Sequence, residues 1–181
     1  MRSDFPRRKR NRLHSYDYRE AGCYFITICT RNRKEYLSSI LVGNGLDRSA
    51  RIRYTQYGEI AHRDLLALPE HFPNVRVDRF AIMPNHVHII LVLEKTPFTA
   101  STAAERKTGE TERSRPFPTI STVIGQYKSG VSRKAGFPLW QKSFYDHIIR
   151  NEQDYLEIAH YIETNPLRWK QDRFYPQPSK E

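Results

Sequence analysis

The sequence predicts an α+β sandwich, in which an antiparallel central sheet carries helices on one face. Three observations predict it. Periodic segments follow one another as strand, helix, strand, strand, helix, short strand or turn, helix. The two middle strands are joined only by Met83-Pro84-Asn85, a link short enough to imply antiparallel neighbours. The second of them, His86–Leu93, places Val87, Ile89, Leu91 and Leu93 on one face. On its other face Ile90 and Val92 follow two histidines, so this strand belongs in the middle of a sheet.

The elements follow in chain order. Residues 1–16 read as a basic arm, with Arg2, Arg7, Arg8, Lys9, Arg10 and Arg12 against Asp4 alone. Residues 22–30 are rich in β-branched and aromatic types and read as a strand, ended by the basic loop Arg31-Asn32-Arg33-Lys34. Ile40-Leu41-Val42 and Ala50-Arg51-Ile52 flank Gly43-Asn44-Gly45, a small hairpin about a Gly-Asn-Gly turn. Tyr57, Ile60, Ala61, Leu65 and Leu68 recur at helical spacing, with Thr55 as N-cap and Pro69 as stop. Val75–Met83 and His86–Leu93 are the middle strands.

Residues 95–116 have no periodicity and read as a flexible insertion. Ile120, Val123, Ile124, Tyr127 and Val131 then form one helical stripe, with Lys128, Arg133 and Lys134 on other faces. Residues 139–150 are aromatic-rich and end in a short strand or turn. Asn151 caps the last helix with Asp154 at its third position, a variant capping box. Tyr155, Ile158, Ala159 and Ile162 form its stripe, and Pro166 ends it. This order fits a ferredoxin-like sandwich. The predicted organisation is an arm over 1–16, one domain over 17–170 and a tail over 171–181.

Composition bounds the function. The chain has 181 residues, enough for one medium domain, with 38% hydrophobic residues and a mean hydropathy of −0.73. Thirty Lys and Arg face twenty Asp and Glu, a net charge of +10 and a pI near 9.7. That imbalance favours a polyanionic partner, nucleic acid before an anionic membrane surface. The longest strictly apolar run, Ile89–Leu93, is far below the ~20 residues of a membrane span. No secretory signal is readable. Cys23 and Cys29 on one strand stand about 20 Å apart, too far for a disulfide. A cytoplasmic location is the expectation.

Two constellations carry chemistry. In His86-Val87-His88 the imidazoles point to the same side of a strand and converge on one divalent cation. Tyr161 and Asn165 stand at i and i+4 of the last helix, stacked on one face beside the apolar stripe. A tyrosine oxygen is a competent nucleophile toward a polarised phosphodiester. A metal held by neutral His86, His88 and Asn165 keeps its full charge and open positions, and acts as a Lewis acid. Mg²⁺ or Mn²⁺ suits the site, Mn²⁺ accepting imidazole more readily. The product is a 5′-phosphotyrosine and a free 3′-hydroxyl. Each residue also has a plainer reading: a buried core histidine, a packing tyrosine, a helix-end asparagine before Pro166.

Met83-Pro84-Asn85-His86-Val87-His88, Leu139-Trp140-Gln141, Tyr145-Asp146-His147-Ile148-Ile149-Arg150 and Tyr161-Ile162-Glu163-Thr164-Asn165-Pro166 occur in a specific order and spacing. Together they resemble the REP-associated tyrosine transposases, of the single-tyrosine HUH superfamily (His–hydrophobe–His), over about residues 17–170. The resemblance implies a ferredoxin-like HUH nuclease that cleaves and rejoins single-stranded DNA at hairpins. It implies His86 and His88 as the metal pair, Tyr161 as nucleophile and Asn165 as the polar residue one turn later. Tyr155, on the same helix, is the fallback nucleophile. Candidate DNA contacts are Arg7, Arg8, Lys9, Arg10, Arg31, Arg33, Lys128 and Arg150.

Tyr24, Tyr127 and Trp140 have the aromatic faces to stack bases, but each lies in or beside an apolar run that favours the core. Relatives that exchange the tyrosine helix make a homodimer an open alternative; no membrane partner is expected. The competing reading is a domesticated hairpin-DNA or RNA binder without cleavage. The complete set of two histidines, tyrosine and asparagine favours the enzyme. A water-activating metallohydrolase is weaker, since no carboxylate cluster or second histidine motif is readable.

Overall fold

The structure is a computed structural model that describes residues 21–43, 50–95 and 118–176. The basic arm with Arg7, Arg8, Lys9 and Arg10, the hairpin turn at 44–49 and nearly all of the 95–116 insertion lie outside the described residues.

Four strands form one sheet: β1 (Gly22–Cys29), β4 (Val75–Ile82), β5 (His86–Leu93) and β6 (Tyr145–Ile149), in the order β4-β5-β1-β6, every pair antiparallel. β2 (Ser38–Val42) and β3 (Ala50–Tyr54) form the separate hairpin, with Ile40 opposite Ile52. The helices are α1 (Gln56–Leu66), the short α2 (Leu68–His71), α3 (Ile120–Ala135) and α4 (Glu152–Thr164). A 3-10 segment, Asn165–Gln171, follows α4.

Local chemistry accounts for the boundaries. Thr55 Oγ1 accepts from Gly58 N at 3.2 Å and starts α1. Asn151 Oδ1 accepts from Asp154 N at 2.8 Å and starts α4. Gly136 at φ +81° closes α3 in the left-handed conformation that a glycine adopts without strain. Pro69 sits in the first turn of α2, where its missing N–H costs nothing, so a second short helix starts where a stop was expected. Pro166 occupies the same kind of position in the 3-10 segment. Gly58 is needed because a Cβ there would lie 1.9 Å from the Leu37 carbonyl oxygen.

Both faces of the sheet are covered. Val87, Ile89, Leu91 and Leu93 pack with Ala61 and Leu65 of α1 and with Val123, Ile124 and Tyr127 of α3. The opposite face carries Phe25, Ala81, Ile90 and Ile149 against Ala159 and Ile162 of α4, with Trp169 and Phe174 beyond it. The antiparallel α+β sandwich is as expected, but the helices, expected on one face, occupy both: α1 and α3 share one. α4 lies on the other face, for the reason already present in β5: a strand apolar on both sides needs cover on both. Among the described residues no helix is long and apolar enough to cross a membrane.

Candidate active site

Direct partners across an antiparallel sheet share a face. His88 lies opposite Ala81 of β4 and Thr27 of β1, and Thr27 lies opposite Tyr145 of β6. A row of side chains therefore crosses the α4 face of the sheet through His88. His86 stands two residues earlier on that face, and its imidazole Nε2 is 2.9 Å from His88 Nε2. Both histidines are fully buried.

The shell around the histidines settles one tautomer. Buried Asn85 donates through Nδ2 to the carbonyls of Arg33 (3.2 Å) and Phe174 (2.8 Å). That orients its Oδ1 toward His86 Nδ1 at 2.9 Å. An amide oxygen only accepts, so His86 carries its proton on Nδ1 and turns the Nε2 lone pair inward. His88 Nδ1 meets the Thr27 hydroxyl at 2.9 Å. With the His86 Nε2 lone pair 2.9 Å away, His88 donates from Nε2 and its Nδ1 accepts from the Thr27 hydroxyl; that hydroxyl can equally accept, so the proton can move to Nδ1 when Nε2 takes a metal. Burial, then the Arg173 and Arg33 charges, push His86 down to about 3. Burial, then His86, pushes His88 well below its ordinary value. Both rings are neutral at physiological pH, the form that ligates metals.

α4 delivers Tyr161 to this pair. Its hydroxyl is 3.2 Å from His88 Nε2 of the same chain and donates to Asp172 Oδ2 at 3.3 Å. The ring meets His88 at 5.1 Å and stands edge-on to Phe25 at 6.2 Å. Tyr161 remains 37% exposed, so the hydroxyl bridges buried histidines and open surface. Burial, then Asp172, push its pKa up to about 12. The phenol is protonated at neutral pH, and deprotonation needs a partner that takes the proton.

Asn165 lies one turn after Tyr161, as the i+4 spacing predicts, and is buried. Its Nδ2 donates to Asp172 Oδ2 at 2.7 Å, while its buried Oδ1 has no hydrogen-bond partner among the described residues. Phe174 N donates to Asp172 Oδ1 at 2.6 Å. One ligand atom each from His86, His88 and Asp172 lie within 4.8 Å of one another. Two imidazole nitrogens and a carboxylate oxygen are a donor set that fits a divalent cation.

Asp172 is the residue that sequence reasoning missed. It falls in the stretch read as a tail, in a turn that no helical or strand period connects to Tyr161. The one cue was compositional: an isolated carboxylate among Arg168, Lys170 and Arg173. Phe174 was missed for the same reason, and its ring lies 4.5 Å from that of His86.

The other candidates disperse. Tyr155 donates to Asp78 Oδ2 at 2.6 Å and accepts from Arg79 Nε at 3.3 Å, so its bonds go to β4. Lys128 directs its ammonium to the carbonyls of Gln141, Lys142 and Ser143 at 2.7, 3.1 and 3.3 Å. Its three donors are thereby occupied. Arg31, Arg33 and Arg150 are exposed, and only Arg33 stands beside the histidines, over the Phe174 ring at 5.0 Å. Tyr24, Tyr127 and Trp140 are buried in the core.

No family model matches the chain. An uncharacterized protein of Haemophilus influenzae is 33% identical over 174 residues, 93% of each chain. A putative REP-associated tyrosine transposase of the same organism is 26% identical over 84% of this chain and 74% of its own length. A REP-associated tyrosine transposase of Escherichia coli is 24% identical over 83% of this chain and 70% of its own. The solved structure of a REP-associated tyrosine transposase bound to a REP hairpin shares the fold. Its TM-score is 0.58 at 19% identity, over 90% of this chain and 76% of that one. Over most of its length the chain is therefore related to the REP-associated tyrosine transposases, at 24–26% identity, and it has the fold of one of them.

Proposed function

We propose that this protein cuts and rejoins single-stranded DNA beside hairpin sequences, using Tyr161 as nucleophile. The observation that carries the reading is the Tyr161 hydroxyl, 3.2 Å from His88 Nε2 and hydrogen-bonded to Asp172, at the edge of a paired-histidine pocket. A relative bound to a REP hairpin supports hairpin DNA as the substrate. The net charge of +10 supports a nucleic-acid partner independently.

His86, His88 and Asp172 would hold a divalent metal, Mn²⁺ or Mg²⁺, with Asn165 holding the Asp172 carboxylate through Nδ2. Bound there, the metal supplies Lewis-acid polarisation of the scissile phosphate. The chain's own residues do the rest. Asn165 and the Phe174 amide hold the Asp172 carboxylate in place, and Asp172 accepts the hydrogen bond of the phenol. Tyr161 Oη attacks phosphorus as its proton passes to Asp172. The P–O3′ bond breaks, and the 3′-oxygen leaves as a hydroxyl, taking through water the proton that Asp172 accepted, so the carboxylate is restored. The product is a 5′-phosphotyrosine ester, whose bond a second 3′-hydroxyl reverses by the opposite sequence. The contact of Tyr161 with His88 within one chain supports cleavage by the tyrosine of the same chain.

The test is covalent capture. Protein is mixed with denatured, fragmented host DNA and Mn²⁺ or Mg²⁺, then run on a denaturing gel beside Tyr161→Phe. A metal-dependent shifted band, absent in the variant, is the expected result. DNA binding by folded protein without any band would replace the nuclease with a hairpin-binding module.

A further inference from the structure

We propose that Arg33, Arg173 and Tyr145 form a docking site at the mouth of this pocket for one phosphate of single-stranded DNA and its adjoining base. The proposal rests on the DNA-cutting reading above and names how the strand is held.

Tyr145 is the outer end of the side-chain row that runs through Thr27 to His88. Tyr145 is 45% exposed, and its ring meets Phe25 at 6.4 Å, the same phenylalanine that meets Tyr161 and His88. A path of aromatic contacts thus leads from the buried histidines to an open tyrosine face. Exposed aromatic faces are what unpaired bases stack on, whatever their sequence.

Two cations flank that path. The Arg173 guanidinium lies 5.9 Å from the Tyr145 ring centre and 4.6 Å from that of Phe174. The Arg33 guanidinium lies 5.0 Å from the same Phe174 centre and donates to the Arg173 carbonyl at 3.4 Å. Both side chains belong to exposed residues, and among the described residues neither forms an ion pair with a carboxylate. The nearby Asp172 is engaged by Phe174 N, Asn165 and Tyr161. Two guanidinium groups gathered on one ring repel each other, and an anion between them relieves the repulsion. A phosphodiester matches their planar donors in shape as well as charge.

The backbone is built to hold this arrangement. Asn32 and Arg33 sit at φ 56° and 54°, the left-handed region that non-glycine residues adopt only when their surroundings insist. Thr30 Oγ1 pins the turn at the Lys34 carbonyl (2.7 Å), and Asn85 pins it at the Arg33 carbonyl (3.2 Å). The same Asn85 orients His86, so the arginine and the histidine are positioned by one side chain.

The test uses the full chain with a fluorescein-labelled decathymidine, in EDTA, with anisotropy read from 50 to 200 mM NaCl. The double variant Arg33→Gln/Arg173→Gln is compared with Arg51→Gln/Arg63→Gln, which removes two exposed cations from β3 and α1 instead. The first pair is expected to bind more weakly and to lower the log–log salt slope by about 0.7, one single-strand phosphate contact; the second is expected to leave it unchanged. Arg33→Lys/Arg173→Lys is expected to restore most of the slope. Tyr145→Ala is expected to weaken binding by about five- to hundred-fold, and Tyr145→Phe by less than about two-fold.

Equal losses in the two glutamine pairs, or none in either, overturn the docking site. Wild-type binding with those results leaves the nuclease reading standing. Absence of wild-type binding overturns both. Tighter binding of decauridine RNA with the same losses overturns the choice of DNA.

Discussion

The two faces of the central sheet are built from the same strands and behave as different materials. On one side, Val87, Ile89, Leu91 and Leu93 meet α1 and α3 in a core of aliphatic and aromatic side chains. On the other, α4 covers a mixed layer in which His86, His88, Asn85, Asn165 and Asp172 are buried among Phe25, Ile162 and Phe174. The first face lowers the free energy of folding by removing apolar area from water. The second buries five polar side chains, each of which has to be matched by a hydrogen bond. Most are matched, and among the described residues the Asn165 Oδ1 is not. The lesson is that one β-strand serves both purposes by alternation: its odd residues hold the fold and its even ones hold the chemistry.

That contrast can be broken by substitution, and the largest effect lies on the chemical side. Tyr161→Phe removes one exposed-edge hydroxyl, so the covalent adduct should vanish while the melting temperature stays within a few degrees. A large drop in melting temperature would assign Tyr161 to the core. On the apolar face the reverse is expected. Ile89→Ala should cost about 2–5 kcal/mol in denaturant unfolding and leave the chemistry of the surviving folded fraction unchanged.

Thr27→Val sharpens the comparison, because it is nearly isosteric and removes only the partner of His88 Nδ1. About 1–3 kcal/mol of stability should go with it, and divalent-metal affinity, read by calorimetry, should fall roughly ten-fold or more. Unchanged metal titration would remove Thr27 from the support of His88.

Acid should separate the faces as well. His86 is held neutral when folded and titrates near its ordinary value when unfolded. Between about 6.5 and 3 the unfolded chain therefore binds the extra proton, so stability is complete above this window and is lost as the pH falls through it. The melting temperature should fall more steeply from pH 7 to 4 in wild type than in His86→Gln; parallel curves would mean the imidazole is not held neutral. The smallest effect belongs to the helix that carries the nucleophile. Asn151→Ala should cost about 1 kcal/mol by removing the α4 cap, without changing DNA binding.

Much of this was legible in the chain. Thr55 and Asn151 announced their helices because capping is a contact three residues long. The sharing of a face by His86 and His88 follows from strand alternation, and the stacking of Asn165 on Tyr161 follows from helical periodicity. Charge composition pointed to nucleic acid before any fold was known. What tertiary structure alone decided is whatever depends on meetings between distant segments. It chose α4, rather than α1 or α3, as the cover that the second apolar face of β5 required. It brought Asp172 and Phe174 from an irregular turn onto the histidines, and set Arg33 beside Arg173, residues 140 positions apart in sequence. Periodicity reports which way a side chain points along its own element. Which other element waits there is settled by packing two covered faces around one sheet.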